Sequence, residues 1–216
     1  METPVTLDVR DGCRLEARLA LPGGARAGLV VCHPHPLYGG DMDNPVVVRT
    51  AEVAQGLGVA TLRFNFRGVG GSTGKHGGGE AEQDDILAAL AALAERLPPR
   101  GAVGLAGYSF GAWVSAGVVA AGAAVPALAL LAPPLGMRDL DFLARVPDPT
   151  LLVAGTRDQY CPVEALRELG RRLGTEPEII EGAEHFFFGK LYPLGEAVER
   201  WLRRWALEHP AHQADL

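Results

Sequence analysis

Short apolar runs alternate along the chain with longer segments whose apolar residues recur at helical spacing. The runs that we predict as strands are 14–21, 27–32, 59–66, 102–107, 127–131, 150–155 and 177–180. The segments that we predict as helices are 46–57, 80–97, 110–122, 162–173 and 195–208. Apolar strands that alternate with helices are typical of a mostly parallel sheet covered on both faces. The pattern therefore predicts an α/β fold.

Two departures from strict alternation refine this prediction. No helical pattern separates the runs 14–21 and 27–32, so we expect these two strands to form an antiparallel hairpin at one edge of the sheet. The glycine-rich segment 68–79 predicts a mobile surface loop. Because the 216 residues contain no repeat and no long linker, we expect one domain over residues 1–216, with 209–216 as a frayed tail.

Composition and charge argue against several functional classes. The net charge of −6 disfavours nucleic acid as the main partner, because phosphate binding requires a concentrated basic surface. The three cysteines show no paired spacing, which indicates reduced thiols. We find no secretory signal and no apolar run approaching ~18 residues. We therefore expect a cytoplasmic protein with a small-molecule substrate and with neither a membrane nor a nucleic-acid partner.

The motif with the clearest chemistry is Gly107-Tyr108-Ser109-Phe110-Gly111, which has the pattern G-x-S-x-G. A buried strand is predicted before it, and a helical run of small residues follows it. A serine at such a turn is held in a strained conformation, with its hydroxyl projecting above the sheet. The two glycines are required sterically, because side chains there would collide with the neighbouring strand or helix. The context predicts that Ser109 is a nucleophile.

A serine hydroxyl needs a base to take its proton, and histidine serves this purpose near neutral pH. His185 follows the last predicted strand, at the carboxyl edge of the sheet where sites lie in this fold class. Asp158 follows the preceding strand, where a tight turn can aim its carboxylate at His185. The chain order Ser109, Asp158, His185 is the order in which such a triad occurs on a sheet of this kind.

Other interpretations of these residues remain open. Ser109 can be only a helix N-cap, Asp158 only a turn residue, and His185 only a structural histidine. The alternative acids are Asp139, Asp141 and Asp148. The histidines that are less well placed are His76 in the glycine-rich segment and His209 and His212 in the tail. We interpret Cys32 and Cys161 as small buried hydrophobic residues.

A resemblance to a known family rests on four segments, CHPHPLYGGDMDN, LRFNFRGVGGS, GYSFGA and GAEHFFFGKL. Together they resemble the small lidless bacterial α/β-hydrolases, which are dienelactone-hydrolase-like and carboxylesterase-like serine hydrolases. The resemblance extends from about residue 5 to residue 205 and implies that nucleophile, acid and base are Ser109, Asp158 and His185. Dienelactone hydrolases use a cysteine nucleophile, which argues against that particular activity. Residues 132–149 are too few for a helical lid, so we expect an open site.

Acyl transfer also requires two backbone N–H donors aimed at the tetrahedral oxygen. One is the N–H of Phe110, directly after the nucleophile, and the other comes from the loop HPHPLYGG after the strand 27–32. The two prolines of this loop have no N–H, which leaves His35, Leu37 and Tyr38. The family's common His-Gly-X pattern aligns with residues 33–35. The resemblance therefore favours His35, with Leu37 as the next candidate.

Two features close to this loop have competing explanations. His33 and His35 can serve as metal ligands, but the further ligands that a metal site needs are not well placed, so we predict no metal and no cofactor. We expect the His33 ring to hold the loop by hydrogen bonds. Arg67 can bind a substrate carboxylate, but we expect it to pair with an acidic residue within 80–85 and to pin the glycine-rich segment.

These observations predict a serine hydrolase that cleaves carboxylic esters or related small acyl compounds through an acyl-enzyme. The candidates for contact with the substrate are Leu37, Tyr38 and Phe186. A peptidase or an acyltransferase would use the same triad. The fold can also carry a binding or regulatory protein in which the triad is idle.

Overall fold

The computed structural model describes residues 1–207, which form a single eight-stranded sheet with five α-helices packed on it. The strands are β1 (Thr3–Asp8), β2 (Arg14–Ala20), β3 (Ala27–Cys32), β4 (Ala60–Phe64), β5 (Ala102–Tyr108), β6 (Leu128–Leu131), β7 (Thr150–Gly155) and β8 (Glu178–Ile180). The helices are α1 (Pro45–Gly56), α2 (Ala81–Ala94), α3 (Phe110–Ala120), α4 (Val163–Leu173) and α5 (Leu191–Leu202). A 3₁₀ turn at Pro36–Tyr38 and a π-helical turn at Arg203–Leu207 complete the described elements.

The strand order in the sheet is β1-β2-β4-β3-β5-β6-β7-β8. Strands β3 to β8 are parallel, whereas β2 is antiparallel to both β1 and β4. The α/β fold with an antiparallel N-terminal hairpin is therefore confirmed. All six parallel strands end at the same edge of the sheet, and the segments that follow them are the ones that can build a site.

The membership of the hairpin was predicted incorrectly. The partner of β2 is β1, and the strand 27–32 lies further inside the sheet between β4 and β5. The sequence TPVTLD of β1 has only one fully buried position, Leu7, because this strand is the edge of the sheet. A strand with so little apolar surface leaves only a weak alternating pattern.

Helices cover both faces of the sheet. Gly28 of β3 lies beside Val103 of β5 in the strand register, so Gly28 and Gly104 face opposite sides. A Cβ atom at Gly28 would lie 2.8 Å from the side chain of Leu93 in α2. A Cβ atom at Gly104 would lie 2.8 Å from the ring of Trp205, directly after α5. The helices approach the sheet closely at both points because glycine has no side chain.

The C-terminal helix begins earlier than the sequence pattern indicates. Helix α5 starts at Leu191 rather than at 195, and Pro193 lies in its first turn, where a missing backbone N–H removes no helical hydrogen bond. Position 208 and the tail 209–216, with His209 and His212, lie outside the described residues. Among residues 1–207, no helix has the length and apolar character needed to cross a membrane.

The connection between β6 and β7 carries no helical lid. Residues 132–149 contain turns and no helix, and Leu140 and Leu143 anchor the connection in the core. The carboxyl edge of the sheet therefore remains open on this side.

Arg67 pins the start of the glycine-rich segment, as predicted. Its guanidinium binds both oxygens of the fully buried Asp85 of α2, with an Nη2–Oδ1 distance of 2.6 Å, and its Nη1 lies 2.8 Å from Asp11. Burial raises the pKa of the Asp85 carboxyl despite this partner. Further along, Ser72 donates to the carbonyl of Asn65 at 2.7 Å and accepts from the N–H of Glu16 at 2.9 Å. The segment is thus tied to β2 and α2.

We expect the Arg67–Asp85 pair to be essential for stability, because breaking a buried pair leaves an uncompensated charge. Asp85→Asn should lower the free energy of unfolding by about 3 kcal/mol in urea titrations. The matched control is Asp84→Asn, which breaks the more exposed Arg10–Asp84 pair and should cost less than about 1 kcal/mol. Equal losses in the two variants would contradict this prediction.

Candidate active site

Ser109 stands at the turn between β5 and α3 in a strained backbone conformation. Its φ is 53° and its ψ is −113°, a region that residues with a side chain rarely adopt. The strain that we predicted for this serine is confirmed. Ser109 is buried except for a small exposed fraction, and its hydroxyl lies at the base of a cavity.

Two glycines allow the turn to be this tight. A Cβ atom at Gly107 would lie 2.3 Å from the carbonyl oxygen of Gly111, and a Cβ atom at Gly111 would lie 2.6 Å from the carbonyl oxygens of Cys32 and His33. These distances are far below van der Waals contact with backbone atoms, which cannot move aside. The predicted steric need for both glycines is therefore confirmed.

Asp158 lies in the turn after β7 and is fixed by backbone amides. Its Oδ1 accepts from the N–H of Tyr160 at 2.9 Å and from the N–H of Cys161 at 2.8 Å. These bonds hold the carboxylate in one rotamer and stabilise its negative charge. The carboxylate reaches His185, which follows β8.

The side chains of Ser109, His185 and Asp158 form one hydrogen-bonded chain. His185 Nδ1 lies 2.9 Å from Asp158 Oδ2, and His185 Nε2 lies 2.9 Å from Ser109 Oγ. Because a carboxylate only accepts hydrogen bonds, the Nδ1 proton is donated to Asp158, and Nε2 is left to accept from the serine hydroxyl. Tyr108 adds support, since its hydroxyl donates to the backbone carbonyl of His185 at 2.9 Å. The structure thus brings together the three residues that the sequence predicted.

The alternative acids are engaged elsewhere. Asp141 pairs with Arg172, and Asp148 lies 2.6 Å from Arg204, both at exposed positions. Asp139 accepts from the backbone N–H of Asp141 in an exposed turn. Among residues 1–207, none of the three makes a hydrogen bond or an ion pair with His185, whereas Asp158 contacts it with both oxygens.

The two cysteines near the site are fully buried, as predicted. Burial raises the pKa of the Cys161 thiol, and the carboxylate of Asp158 raises it further. Burial likewise raises the pKa of Cys32. Both side chains are therefore held as neutral thiols, which are poor nucleophiles.

The loop after β3 carries the candidates for the second oxyanion donor. Within this loop the N–H of Leu37 donates to Nδ1 of its neighbour His35 at 3.2 Å, and the N–H of Tyr38 donates to the His35 carbonyl at 3.1 Å. Both are therefore used inside the turn. The backbone N–H of His35 makes no hydrogen bond with any of the residues 1–207. Of the three candidates, the geometry favours His35, whose ring packs on that of Phe110 with 4.8 Å between centroids.

The His33 ring holds the same loop by hydrogen bonds at both of its nitrogens. The N–H of Phe66 donates to His33 Nε2 at 2.9 Å, so the ring proton is on Nδ1, which donates to the carbonyl of Pro34 at 2.6 Å. Burial lowers the pKa of His33 to about 4, which keeps the ring neutral. Because both ring nitrogens are occupied, His33 and His35 do not act as a pair of metal ligands. The expected role of His33 in holding the loop is confirmed.

A cavity of about 490 Å³ opens above Ser109. The aromatic side chains that line it are Tyr38, Tyr108, Phe110, Tyr160 and Phe186. Two of the three residues that we predicted for substrate contact, Tyr38 and Phe186, are therefore at the cavity. Leu37 is not among the lining residues, and 70% of its surface is exposed, because the 3₁₀ turn directs this side chain to solvent.

Several lining residues were not anticipated from the sequence. Pro134, Met137 and Arg138 enter the cavity from the β6–β7 connection, and the guanidinium carbon of Arg138 lies 4.3 Å from the ring centre of Trp113. Tyr160 contacts the His185 ring at 4.8 Å between centroids. Their position in the sequence was the available signal, since these residues lie three to seven residues after the ends of β6 and β7, at the carboxyl edge of the sheet.

Comparison with known proteins agrees with this architecture. The sequence model of the X-Pro dipeptidyl-peptidase family, S15, matches residues 11–144. The uncharacterized protein RP471 of Rickettsia prowazekii is 34% identical over 200 residues, which are 88% of this chain and 84% of that protein. XC6422 of Xanthomonas campestris, described as an α/β serine hydrolase without a lid, has a TM-score of 0.87 at 33% identity and covers 97% of both chains.

Two further solved structures show the same fold. A serine hydrolase homologue from Coxiella burnetii has a TM-score of 0.82 at 34% identity, with 92% of this chain and 96% of that chain covered. Est1E of Butyrivibrio proteoclasticus, solved with ferulic acid bound, has a TM-score of 0.81 at 21% identity, with 93% and 98% covered. The fold and these likenesses define a lidless α/β hydrolase of the serine-hydrolase type, as the sequence resemblance implied. Within this superfamily, the chain belongs to the X-Pro dipeptidyl-peptidase (S15) family.

The buried neutral His33 makes the stability of the protein depend on pH. The unfolded chain takes up a proton at His33 below about pH 6.5, whereas the folded protein does so only near its lowered pKa of about 4. The contribution of His33 is therefore complete above pH 6.5, and about 3 kcal/mol of it is lost as the pH falls to 4. Urea titrations from pH 7 to pH 4 should show this loss in wild type and a flatter dependence in His33→Gln. Parallel curves for the two proteins would contradict the prediction.

Proposed function

We propose that this protein is a serine hydrolase that cleaves carboxylic esters or related small acyl compounds. The observation that carries this proposal is the chain of hydrogen bonds from Ser109 through His185 to Asp158 at the base of an open cavity. The volume of about 490 Å³ lies in the range of small-molecule sites and suits a substrate of modest size.

The geometry supports a two-step reaction. His185 Nε2 takes the proton of Ser109 Oγ as that oxygen attacks the acyl carbon, and Asp158 stabilises the imidazolium that forms. The N–H groups of Phe110 and His35 stabilise the oxyanion of the tetrahedral intermediate. His185 then gives its proton to the leaving alcohol, and the acyl group remains on Ser109. Water, which the open cavity admits, releases the acid in the second half-reaction with His185 as the base.

A peptidase is the second candidate, because the matching family is named for an X-Pro dipeptidyl-peptidase. An enzyme that removes a dipeptide must recognise the positively charged amino terminus of its substrate, and a carboxylate is the natural partner for that charge. Among the described residues, neither an Asp nor a Glu side chain lines the cavity, whose charged lining residue is Arg138. This observation favours esters over peptides with a free amino terminus.

The triad predicts a specific pattern of activity loss. With p-nitrophenyl acetate and butyrate, Ser109→Ala should lower kcat by a factor of about 10⁴ or more, and Asp158→Asn by about 10³ to 10⁴, because each removes a member of one proton-transfer unit. Asp141→Asn is the matched control, since this exposed aspartate pairs with Arg172, and its kcat should stay within about twofold of wild type.

A fluorophosphonate probe checks the same assignment without a substrate. Wild type should be labelled at Ser109 and Ser109→Ala should not. Absence of labelling in folded wild type would contradict the serine-hydrolase proposal and favour a protein with an idle triad. Loss of activity in Asp141→Asn but not in Asp158→Asn would transfer the role of the acid to Asp141.

The cavity lining predicts a preference between substrate classes. The kcat/KM for p-nitrophenyl butyrate should exceed that for Ala-Pro-p-nitroanilide by at least about 100-fold, because no carboxylate among the lining residues is available to the amino terminus. Acetylated Ala-Pro-p-nitroanilide is the control for the charge of that terminus. A faster reaction with the free dipeptide anilide would favour the peptidase.

A further inference from the structure

A third histidine packs against both candidate oxyanion residues. The His76 ring, from the glycine-rich segment, lies 5.0 Å from the His35 ring and 5.4 Å from the Phe110 ring, measured between centroids. The His35 and Phe110 rings are themselves 4.8 Å apart. We call these three side chains the ring cluster. His76 comes from a different part of the chain and joins the two residues whose backbone N–H groups would stabilise the oxyanion.

A buried carboxylate holds the segment that carries His76. Glu82, near the start of α2, is fully buried, and its two oxygens accept from the N–H groups of Gly77 and Gly79, each at 2.7 Å. Nδ1 of His76 lies 3.0 Å from Oε1 of Glu82. Nδ1 makes no hydrogen bond with any of the described residues, although it lies this close to the carboxylate. The contact therefore restrains the ring by packing.

Two glycines between His76 and Glu82 pack closely on neighbouring helices and leave the segment little freedom. A Cβ atom at Gly77 would lie 2.5 Å from Cβ of Ala81, and a Cβ atom at Gly79 would lie 2.0 Å from the ring of Trp113. Trp113 in turn contacts Phe110 at 6.1 Å between ring centroids. The segment is thus pressed against α2 on one side and against the first turn of α3 on the other.

We propose that His76 is a positioning residue of the oxyanion hole and that Glu82, through the N–H groups of Gly77 and Gly79, holds the segment whose His76 ring packs against His35 and Phe110. This inference rests on the proposed function. Donors to an oxyanion act only when they lie about 2.7–3.1 Å from the position that the oxygen takes in the transition state. His35 lies in a short turn with a half-buried side chain, and the rings of Tyr38, Phe110 and His76 pack on its imidazole. Of these three, the His76 ring comes from the glycine-rich segment, so it restrains the turn from a separate part of the chain.

Two substitutions separate the contribution of the His76 ring from that of its contact with Glu82. His76→Phe keeps an aromatic ring and loses the contact with Glu82, whereas His76→Asn keeps a short polar side chain for Glu82 and loses the ring. The matched control is Lys75→Ala, at an exposed neighbouring position outside the cavity lining. The readouts are kcat and KM for p-nitrophenyl butyrate and the Ki of an alkyl trifluoromethyl ketone, which adds to the serine and places an oxyanion in the hole.

We expect kcat of His76→Asn to fall about tenfold with KM within twofold of wild type, because the lost interaction exists only in the transition state. The Ki of the ketone should rise by a similar factor. His76→Phe should recover kcat and Ki to within about threefold of wild type, and Lys75→Ala should match wild type. Urea titrations identify the folded fraction of each variant, to which kcat is normalised.

Several outcomes would overturn the positioning role. One is an unchanged kcat and Ki in His76→Asn; another is a loss of kcat that disappears after normalisation to the folded fraction. Equal losses in His76→Phe and His76→Asn would show that the ring is not what matters. If the proposed function is wrong, wild type will neither hydrolyse the ester nor bind the ketone. That result would contradict both the proposed function and the positioning role. An active wild type with an indifferent His76→Asn would overturn the positioning role alone.

Discussion

The architecture of the site depends on the close approach of three backbone segments at Ser109. The strand that precedes the serine, the helix that follows it and the neighbouring strand β3 meet where Gly107 and Gly111 lie. Any Cβ atom at these glycines would collide with carbonyl groups that belong to the sheet and the helix. The left-handed φ of Ser109 follows from this packing, since the surrounding backbone leaves the residue no relaxed alternative. The rest of the site is arranged around a hydroxyl whose position the main chain determines.

The partners of Ser109 are held by hydrogen bonds in each of which one group belongs to the main chain. Two amide N–H groups orient Asp158, and the phenol of Tyr108 holds the backbone of His185. His33 links the loop after β3 to the segment after β4, because its ring accepts a hydrogen bond from the N–H of Phe66. Each of these supports lies at the end of a parallel strand, so the precision of the site derives from the register of the sheet. This explains how a protein of modest size holds Ser109, His185 and Asp158 in one hydrogen-bonded arrangement.

Much of this site was predictable because its residues follow buried strands. Ser109, Asp158 and His185 each come after an apolar run, and a parallel sheet brings the ends of such runs to one edge. What sequence could not supply was the direction of side chains in irregular segments. The 3₁₀ turn points Leu37 to solvent, although His35 and Tyr38 line the cavity. The edge strand β1 was missed because a strand at the edge of a sheet needs few apolar residues. The contact of His76 with His35 was missed because a helix and a strand, α1 and β4, separate the two residues in the sequence.

The β6–β7 connection has a consequence for how such a protein can change over evolutionary time. It supplies Pro134, Met137 and Arg138 to the cavity, yet it carries no member of the triad and no oxyanion donor. Its anchors, Leu140 and Leu143, lie beyond the lining residues in sequence. Substitutions at 134–138 can therefore alter which molecules fit while the reacting groups stay where they are. Selection for a new substrate has a short and separate stretch of chain on which to act.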